Sequence, residues 1–238
     1  MKKLLFLLTL TAAVSCNTPQ ELAVMTLNMR YDNPEDGMNN WRFRRERIAG
    51  LIRSEAVDLL GTQEVLANQF DDLQALLPGY RAVGVGREDG ARAGEFNAVF
   101  FRSDRFELLF INTHLDHVGE QARREGVALL LRRIETLRDG RPVILTGDFN
   151  AEPSSPVIAH VVADGTLRSA WDTALERHGT AWSFSDFGQL PEEERPLIDY
   201  VFCGGGLEVR SCSILPDTLG GGYLSDHAPV EARLKYVR

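Results

Sequence analysis

Six short apolar runs in this chain each carry, at or beside one end, a side chain suited to a hard cation or a phosphate, and this repetition restricts the fold more than any other feature. Asn28 follows Val24-Met25-Thr26-Leu27, Glu64 follows Leu59 to Gln63, and His114 follows Phe110 to Thr113. Asp148 and Asn150 follow Val143 to Gly147, Asp226-His227 precedes Ala228-Pro229-Val230, and Asp199 lies inside Leu197 to Phe202. A β-rich run that ends on a polar group puts that group on a rim, so several such runs line one rim of a sheet or sandwich.

Helical spacing fills the intervals. Phe43, Arg47, Ile48, Leu51 and Ile52 recur at helical period, as do Phe70, Leu73, Leu76 and Leu77, which Pro78-Gly79 closes. A long amphipathic helix is predicted over 120–138 and a shorter one over 155–163, with further strands over 80–86, 97–102, 207–214 and 228–234. This alternation predicts a layered α/β or α+β domain. No internal repeat or low-complexity tract divides the chain, which reads as one domain over 22–238.

The N-terminus reads differently. Lys2 and Lys3 precede the apolar run Leu4 to Leu10, and the small residues Ala13 and Ser15 stand just before Cys16. Residues 1–15 are therefore expected to be a secretory signal, with Cys16 lipidated and 16–21 a short tether to a bacterial membrane, on its periplasmic or outer-membrane face. The run is too short to span a bilayer, which takes about 20 residues. Without the leader the chain has 24 basic and 34 acidic residues, a net charge of −10, which argues against loose electrostatic binding to nucleic acid. Cys203 and Cys212 then remain, as one bridge or as two buried free thiols.

Taken singly, an Asp or Asn after a strand is usually a turn or cap; their coincidence carries the chemical reading. A divalent ion held by oxygen ligands neutralises a phosphate and lowers the pKa of bound water toward about 7. Glu64 with a neighbouring Asn or Asp suits magnesium. Asp148 can take a proton from water, and His227 paired with Asp199 or Asp226 can hold a phosphoryl oxygen as charge develops. Asp116 and His117 read as local hydrogen-bonding partners.

The blocks Thr26-Leu27-Asn28, Gly61-Thr62-Gln63-Glu64-Val65, Asn112-Thr113-His114-Leu115-Asp116-His117, Thr146-Gly147-Asp148-Phe149-Asn150, Ile198-Asp199-Tyr200-Val201 and Ser225-Asp226-His227-Ala228-Pro229 resemble, in order, those of the endonuclease/exonuclease/phosphatase superfamily with its deoxyribonuclease I-like fold. The resemblance implies a four-layer α/β/β/α sandwich with the site at one edge of the sheets. It implies Mg2+ or Mn2+ held by Glu64 with Asn28 and Asp226 near the ion, and Asp148 as the base. It further implies Asn150 orienting water and phosphate, His114 on the phosphate, and His227, held by Asp199, stabilising the transition state. In relatives a further strand pair precedes the Asn-Thr-His block, whereas here Phe106-Glu107-Leu108-Leu109 runs straight into Phe110. The strand pair between residues 109 and 110 is missing, so the sheet either closes directly, with 110–114 pairing against 97–102, or is strained.

The expected activity is metal-dependent hydrolysis of phosphate esters, foremost a phosphodiesterase acting on nucleic acid, a phospholipid head group or a small phosphodiester, by a monomer. The alternative is a lipid-anchored binding module that has lost turnover. Trp182, Phe184 and Phe187 would either stack on a base or lipid or pack on the core. Arg42, Arg44, Arg45 and Arg47 would either meet a polyanion or form a solvated helix face.

Overall fold

The computed structural model describes residues 8–9, 21–102 and 106–237. The leader, Cys16 and tether readings fall almost wholly outside these residues. In chain order the elements are β1 (Leu8–Thr9), β2 (Leu22–Asn28), α1 (Trp41–Ser54), β3 (Leu59–Gln63), α2 (Ala67–Leu76), β4 (Arg81–Val83), β5 (Val99–Phe101), β6 (Leu109–His114) and α3 (Glu120–Leu137). There follow β7 (Val143–Asp148), α4 (Pro156–Val162), β8 (Arg168–Ser169), α5 (Ala170–Thr173), β9 (Glu176–Gly179), β10 (Asp199–Gly204), β11 (Leu207–Ile214), β12 (Thr218–Leu219), β13 (Gly222–Tyr223) and β14 (Val230–Tyr236).

Two sheets face each other. One runs β4-β5-β3-β2-β14-β11-β9 and the other β1-β6-β7-β10-β8. Alternation along β2 shows the layering: Val24 points into the core shared with β6, β7, β10 and the buried faces of α3 and α4. Its neighbours Met25 and Leu27 point the other way, onto Trp41, Ile48 and Ile52 of α1 and Phe70 and Leu73 of α2. The result is the expected four-layer α/β/β/α sandwich.

The topology explains why polar residues gather at one end. β2 and β3 are parallel, joined through α1, and β6 and β7 are parallel, joined through α3, so all four strands finish on the same rim. β10 runs antiparallel to β7 and starts there, with Asp199 opposite Asp148; β14 runs antiparallel to β2 and starts just after His227.

Below that rim, a polar layer joins the sheets. The Asn112 amide on β6 donates to the carbonyls of Thr62 (2.8 Å) and Ala98 (3.2 Å), and its oxygen accepts from Gln63 Nε2 (2.6 Å) and Thr146 Oγ1 (3.1 Å). Gln63 reaches on to Thr26 Oγ1 at 3.1 Å. All four hydrogen-bonding positions of the Asn112 side chain are thereby used. Gly61 makes this approach feasible, because a Cβ there would collide with Asn112 Oδ1 and Thr146 Oγ1.

Two sequence expectations are corrected. β6 does not pair with β5, which lies between β3 and β4 in the other sheet; β6 pairs with β7 along its whole length and with β1 at Leu109 and Phe110. β6 is thus flanked by β7 and, at Leu109 and Phe110, by β1, and the two sheets do not close onto each other. Arg44 is neither a polyanion contact nor part of a solvated face: it is fully buried and donates to the carbonyls of Met29 (2.7 Å), Leu224 (2.8 Å), Arg30 (3.1 Å) and Asn39 (2.5 Å). Arg45 bonds Asp72 and Arg47 bonds the Phe43 carbonyl. Cys203 and Cys212 are free and buried, and burial pushes their thiols up to about 11 and about 12. Among the described residues no helix is long and apolar enough to cross a membrane.

Candidate active site

Three residues on the rim adopt left-handed backbone without being glycine: Arg30 (φ 50°), Glu64 (φ 58°) and Asn150 (φ 48°). Side chains other than glycine resist this region, and such positions gather where the surroundings hold them. Each is pinned here. The Arg30 carbonyl accepts from Arg44 and from Gln69 Nε2 (3.0 Å). The backbone on both sides of Glu64 is held, by Met29 N–H donating to the Gln63 carbonyl and by reciprocal bonds between Val65 and Phe96. Asn150 N–H donates to Asp148 Oδ1 at 2.8 Å, while its side-chain amide donates to the Leu115 carbonyl at 3.0 Å.

At the centre, one buried amide joins two carboxylates. Asn28 Nδ2 donates to Glu64 Oε1 at 3.0 Å and to Asp148 Oδ2 at 3.1 Å, and Asn28 Oδ1 accepts from Arg30 N–H at 3.0 Å, which fixes which way the amide faces. Glu64 Oε2 also accepts from Tyr31 N–H at 3.3 Å. Burial pulls the Glu64 carboxyl upward, but the charges of His114 and His227 and the bond from Asn28 outweigh it and hold it below its ordinary range. Burial pushes Asp148 up, and the charge of Asp199 adds to the push. His114 Nε2 stands 3.5 Å from Asp148 Oδ2, beyond a good hydrogen bond.

Beside Asp148 lies a second unit. His227 Nδ1 is 2.8 Å from Asp199 Oδ2, and its Nε2 is 3.9 Å from Asp148 Oδ2. Burial disfavours the imidazolium, yet Asp199, with Asp148 and Asp226 beyond, outweighs it and raises His227 to about 10, which favours the imidazolium form. Ser183, fully buried, orients the pair: its hydroxyl donates to Asp199 Oδ2 at 2.7 Å and accepts from the N–H groups of Ile198 and Asp199, each at 3.0 Å. Phe184 packs on the imidazole at 4.8 Å between centroids.

Asp226 completes the rim. Burial pushes its carboxyl up and the Glu64 charge contributes, while the charges of His227 and of Arg30, whose Nε is 3.8 Å away, offset part of this; Arg30 is itself held by Asp36 through two bonds of 3.0 and 3.1 Å. Glu64 and Asp226 are acidic neighbours whose repulsion a cation would relieve, and their carboxylate oxygens suit a hard divalent ion, while Asn28, whose Nδ2 faces Glu64 and whose Oδ1 accepts from Arg30 N–H, holds the first of them in place. Ligand atoms of Asp148, Asp199 and His227 also lie within 4.8 Å of one another, but Asp199 and His227 already satisfy each other, so an ion there would break that bond.

The eight residues expected from sequence thus sit on one rim. Missed were Arg30, Ser183, Ser225, whose Oγ lies 2.6 Å from the Asn28 carbonyl and 3.0 Å from Asp226 Oδ1, and the Asn112 layer. Ser225 and Asn112 were inside recognised blocks, whereas Ser183 stood between aromatics that drew the attention. Of those aromatics, Trp182 is buried with the Arg195 guanidinium 4.5 Å above its ring, Phe184 covers His227, and Phe187 meets Tyr223 edge-on. They pack against the protein. Asp116 bonds the N–H groups of Val118 and Gly119, the local role expected of it.

Two facing sheets whose parallel strands deliver carboxylates, amides and histidines to a common rim define a deoxyribonuclease I-like protein. More narrowly, the endonuclease/exonuclease/phosphatase family profile matches residues 25–227, and the chain belongs to that family. A solved endonuclease/exonuclease/phosphatase from Bacteroides vulgatus is 33% identical with a TM-score of 0.86, over 92% of this chain and 100% of that one. A mannosyl-6-phosphatase from Bacteroides thetaiotaomicron is 27% identical with a TM-score of 0.83, over 90% and 100%. TDP2 from D. rerio, solved with a single-strand DNA product, is 16% identical with a TM-score of 0.69, over 91% and 100%, and shares the fold. No curated protein sequence matches the chain.

Proposed function

We propose that this protein hydrolyses phosphate esters with a bound Mg2+ or Mn2+, held by Glu64 with Asn28 and Asp226, and with Asp148 as the general base. The observation that carries this reading is the Asn28 amide joining Glu64 to Asp148, which sets a metal-binding carboxylate and a proton acceptor in fixed relation. The ion, when bound, neutralises phosphate charge and acidifies water. Asp148, made more basic by burial and Asp199, receives the proton of the attacking water. The His227 imidazolium, anchored by Asp199, donates through Nε2 to the phosphoryl oxygen that gains charge. Asn150 and His114 border the same space and orient water and phosphate.

Nucleic acid, lipid head groups and small phosphodiesters are the leading substrates, and the net charge of −8 favours the smaller esters over loosely bound polyanions. The similarity to a mannosyl-6-phosphatase supports a monoester as the second reading. The test is hydrolysis of bis-p-nitrophenyl phosphate and of p-nitrophenyl phosphate with magnesium, manganese or chelator, by the chain and by His227→Ala. Metal-dependent release that His227→Ala loses supports the reading, and the faster ester sets the class. A folded protein inert on both esters with either metal sinks it in favour of a binding module.

Ser183→Ala tests the support of the His227–Asp199 pair. Turnover is expected to fall roughly 10–100-fold with KM nearly unchanged, because the lost hydroxyl touches Asp199 rather than substrate. A KM rise at constant kcat would assign Ser183 to substrate binding instead.

A further inference from the structure

Arg30 is a rim cation to which the reaction outlined above gives no part. Its guanidinium is fixed in place: Nε and Nη2 donate to the two oxygens of Asp36 at 3.1 and 3.0 Å, and Cζ lies 4.6 Å from the centroid of the Tyr31 ring. A guanidinium has five N–H groups, so three are left without a hydrogen-bond partner among the described residues. They are open to an incoming ligand, since the side chain is 25% exposed, against 14% for His114 and 5% for His227. The group also stands close to the carboxylates suited to a divalent ion. Its Nε is 3.8 Å from Asp226 Oδ2, too far for a hydrogen bond but near enough for its charge to act. The bond to Asp36, aided by the charges of Asp226 and Glu64, keeps the guanidinium charged against the pull of burial.

Resting on the ester-hydrolase reading above, we propose that Arg30 is a specificity-determining residue, a fixed cation beside Asp226 that favours a terminal, doubly charged phosphate over a singly charged diester and weakens divalent-ion binding. The second ionisation of a phosphate monoester lies at about 6, so above pH 7 a monoester carries one more negative charge than a diester and a third terminal oxygen. Attraction to a fixed positive charge doubles with the charge attracted, and the free N–H groups can add charge-assisted bonds to terminal oxygens. The same charge repels a cation at Asp226. Because Asp36 grips the fork along one edge, the charge stays beside Asp226 and does not swing into solvent. Arg30 thus trades ion affinity for selection of the phosphate.

Titration calorimetry with Mn2+ on the full chain, on Arg30→Gln and on Arg30→Lys gives a readout apart from activity. Arg30→Gln is expected to bind Mn2+ about 3–10-fold more tightly, and Arg30→Lys within about 2-fold of the parent, because lysine keeps the charge. Hydrolysis of p-nitrophenyl phosphate and bis-p-nitrophenyl phosphate by the same three proteins then reads the selection itself. Whichever ester the parent prefers, the ratio of kcat/KM for the monoester to that for the diester is expected to fall at least about 10-fold in Arg30→Gln, the effect of losing a hydrogen bond to a charged group. Mn2+ affinity unchanged in Arg30→Gln, equal tightening in both variants, or an equal fall on both esters overturns the proposal and leaves the hydrolase reading standing. A parent that binds no Mn2+ and cleaves neither ester overturns both.

Discussion

Asp148→Asn is expected to lose about 10²–10⁴-fold of metal-dependent ester hydrolysis, the range for removing a general base, and in the same protein to raise the thermal midpoint measured in chelator. Both follow from one environment. The carboxylate is almost wholly buried and pushed up by burial and by Asp199, so its ionised form costs folding free energy at neutral pH. A neutral amide of the same shape relieves that cost and can still accept from Asn28, giving up only the bond from Asn150 N–H. It cannot take a proton from water. Steady-state hydrolysis beside a thermal melt checks both halves, and turnover within 10-fold of the parent would remove Asp148 from the base role. A gain in stability alongside lost activity is the usual relation at a site built from destabilised charge.

Asn112→Leu is expected to cost the fold about 3 kcal/mol, through loss of bonds and of partners for buried groups, or roughly 6–12 °C for a domain of this size. The side chain is close to leucine in volume, so packing changes little. What changes is that Gln63 Nε2 keeps only Thr26 Oγ1, and the Thr62 and Ala98 carbonyls lose a donor between the sheets. Thermal or urea unfolding in chelator gives the answer. A shift below about 1 °C would show that the layer contributes shape and not stability.

Much of this was legible in the sequence. Strands whose last residue is Asn28, His114 or Asp148 could be read from apolar runs closed by a polar group, because a buried strand leaves its hydropathy in consecutive residues. The common rim followed from helices alternating with those strands. Sheet membership was not legible: Phe110 to Thr113 is equally apolar whichever sheet it joins, and only register against Val143 to Gly147 separates the two outcomes. Arg44 was misread because its helix is arginine-rich, and the bare carbonyls of Met29, Arg30 and Leu224 that require a guanidinium do not show in a sequence. Ser183 escaped for a related reason, since its partners Ile198 and Asp199 are 15 and 16 residues away. β8, α5 and β9 are too short to leave a period.

The groups assigned to the reaction are carried at or beside strand ends, and the buried Arg44 clamps the loop after β2 to the loop before Asp226 from behind. The turn over 31–40 touches the rim through Tyr31 N–H on Glu64, and that over 186–190 is tied by Gly188 N–H to Ser185; neither carries any of those eight side chains. Apart from Tyr31, Asp36 and Asn39, which bond Glu64, Arg30 and Arg44, these turns can vary in sequence while the strand-borne groups stay anchored in the sheets.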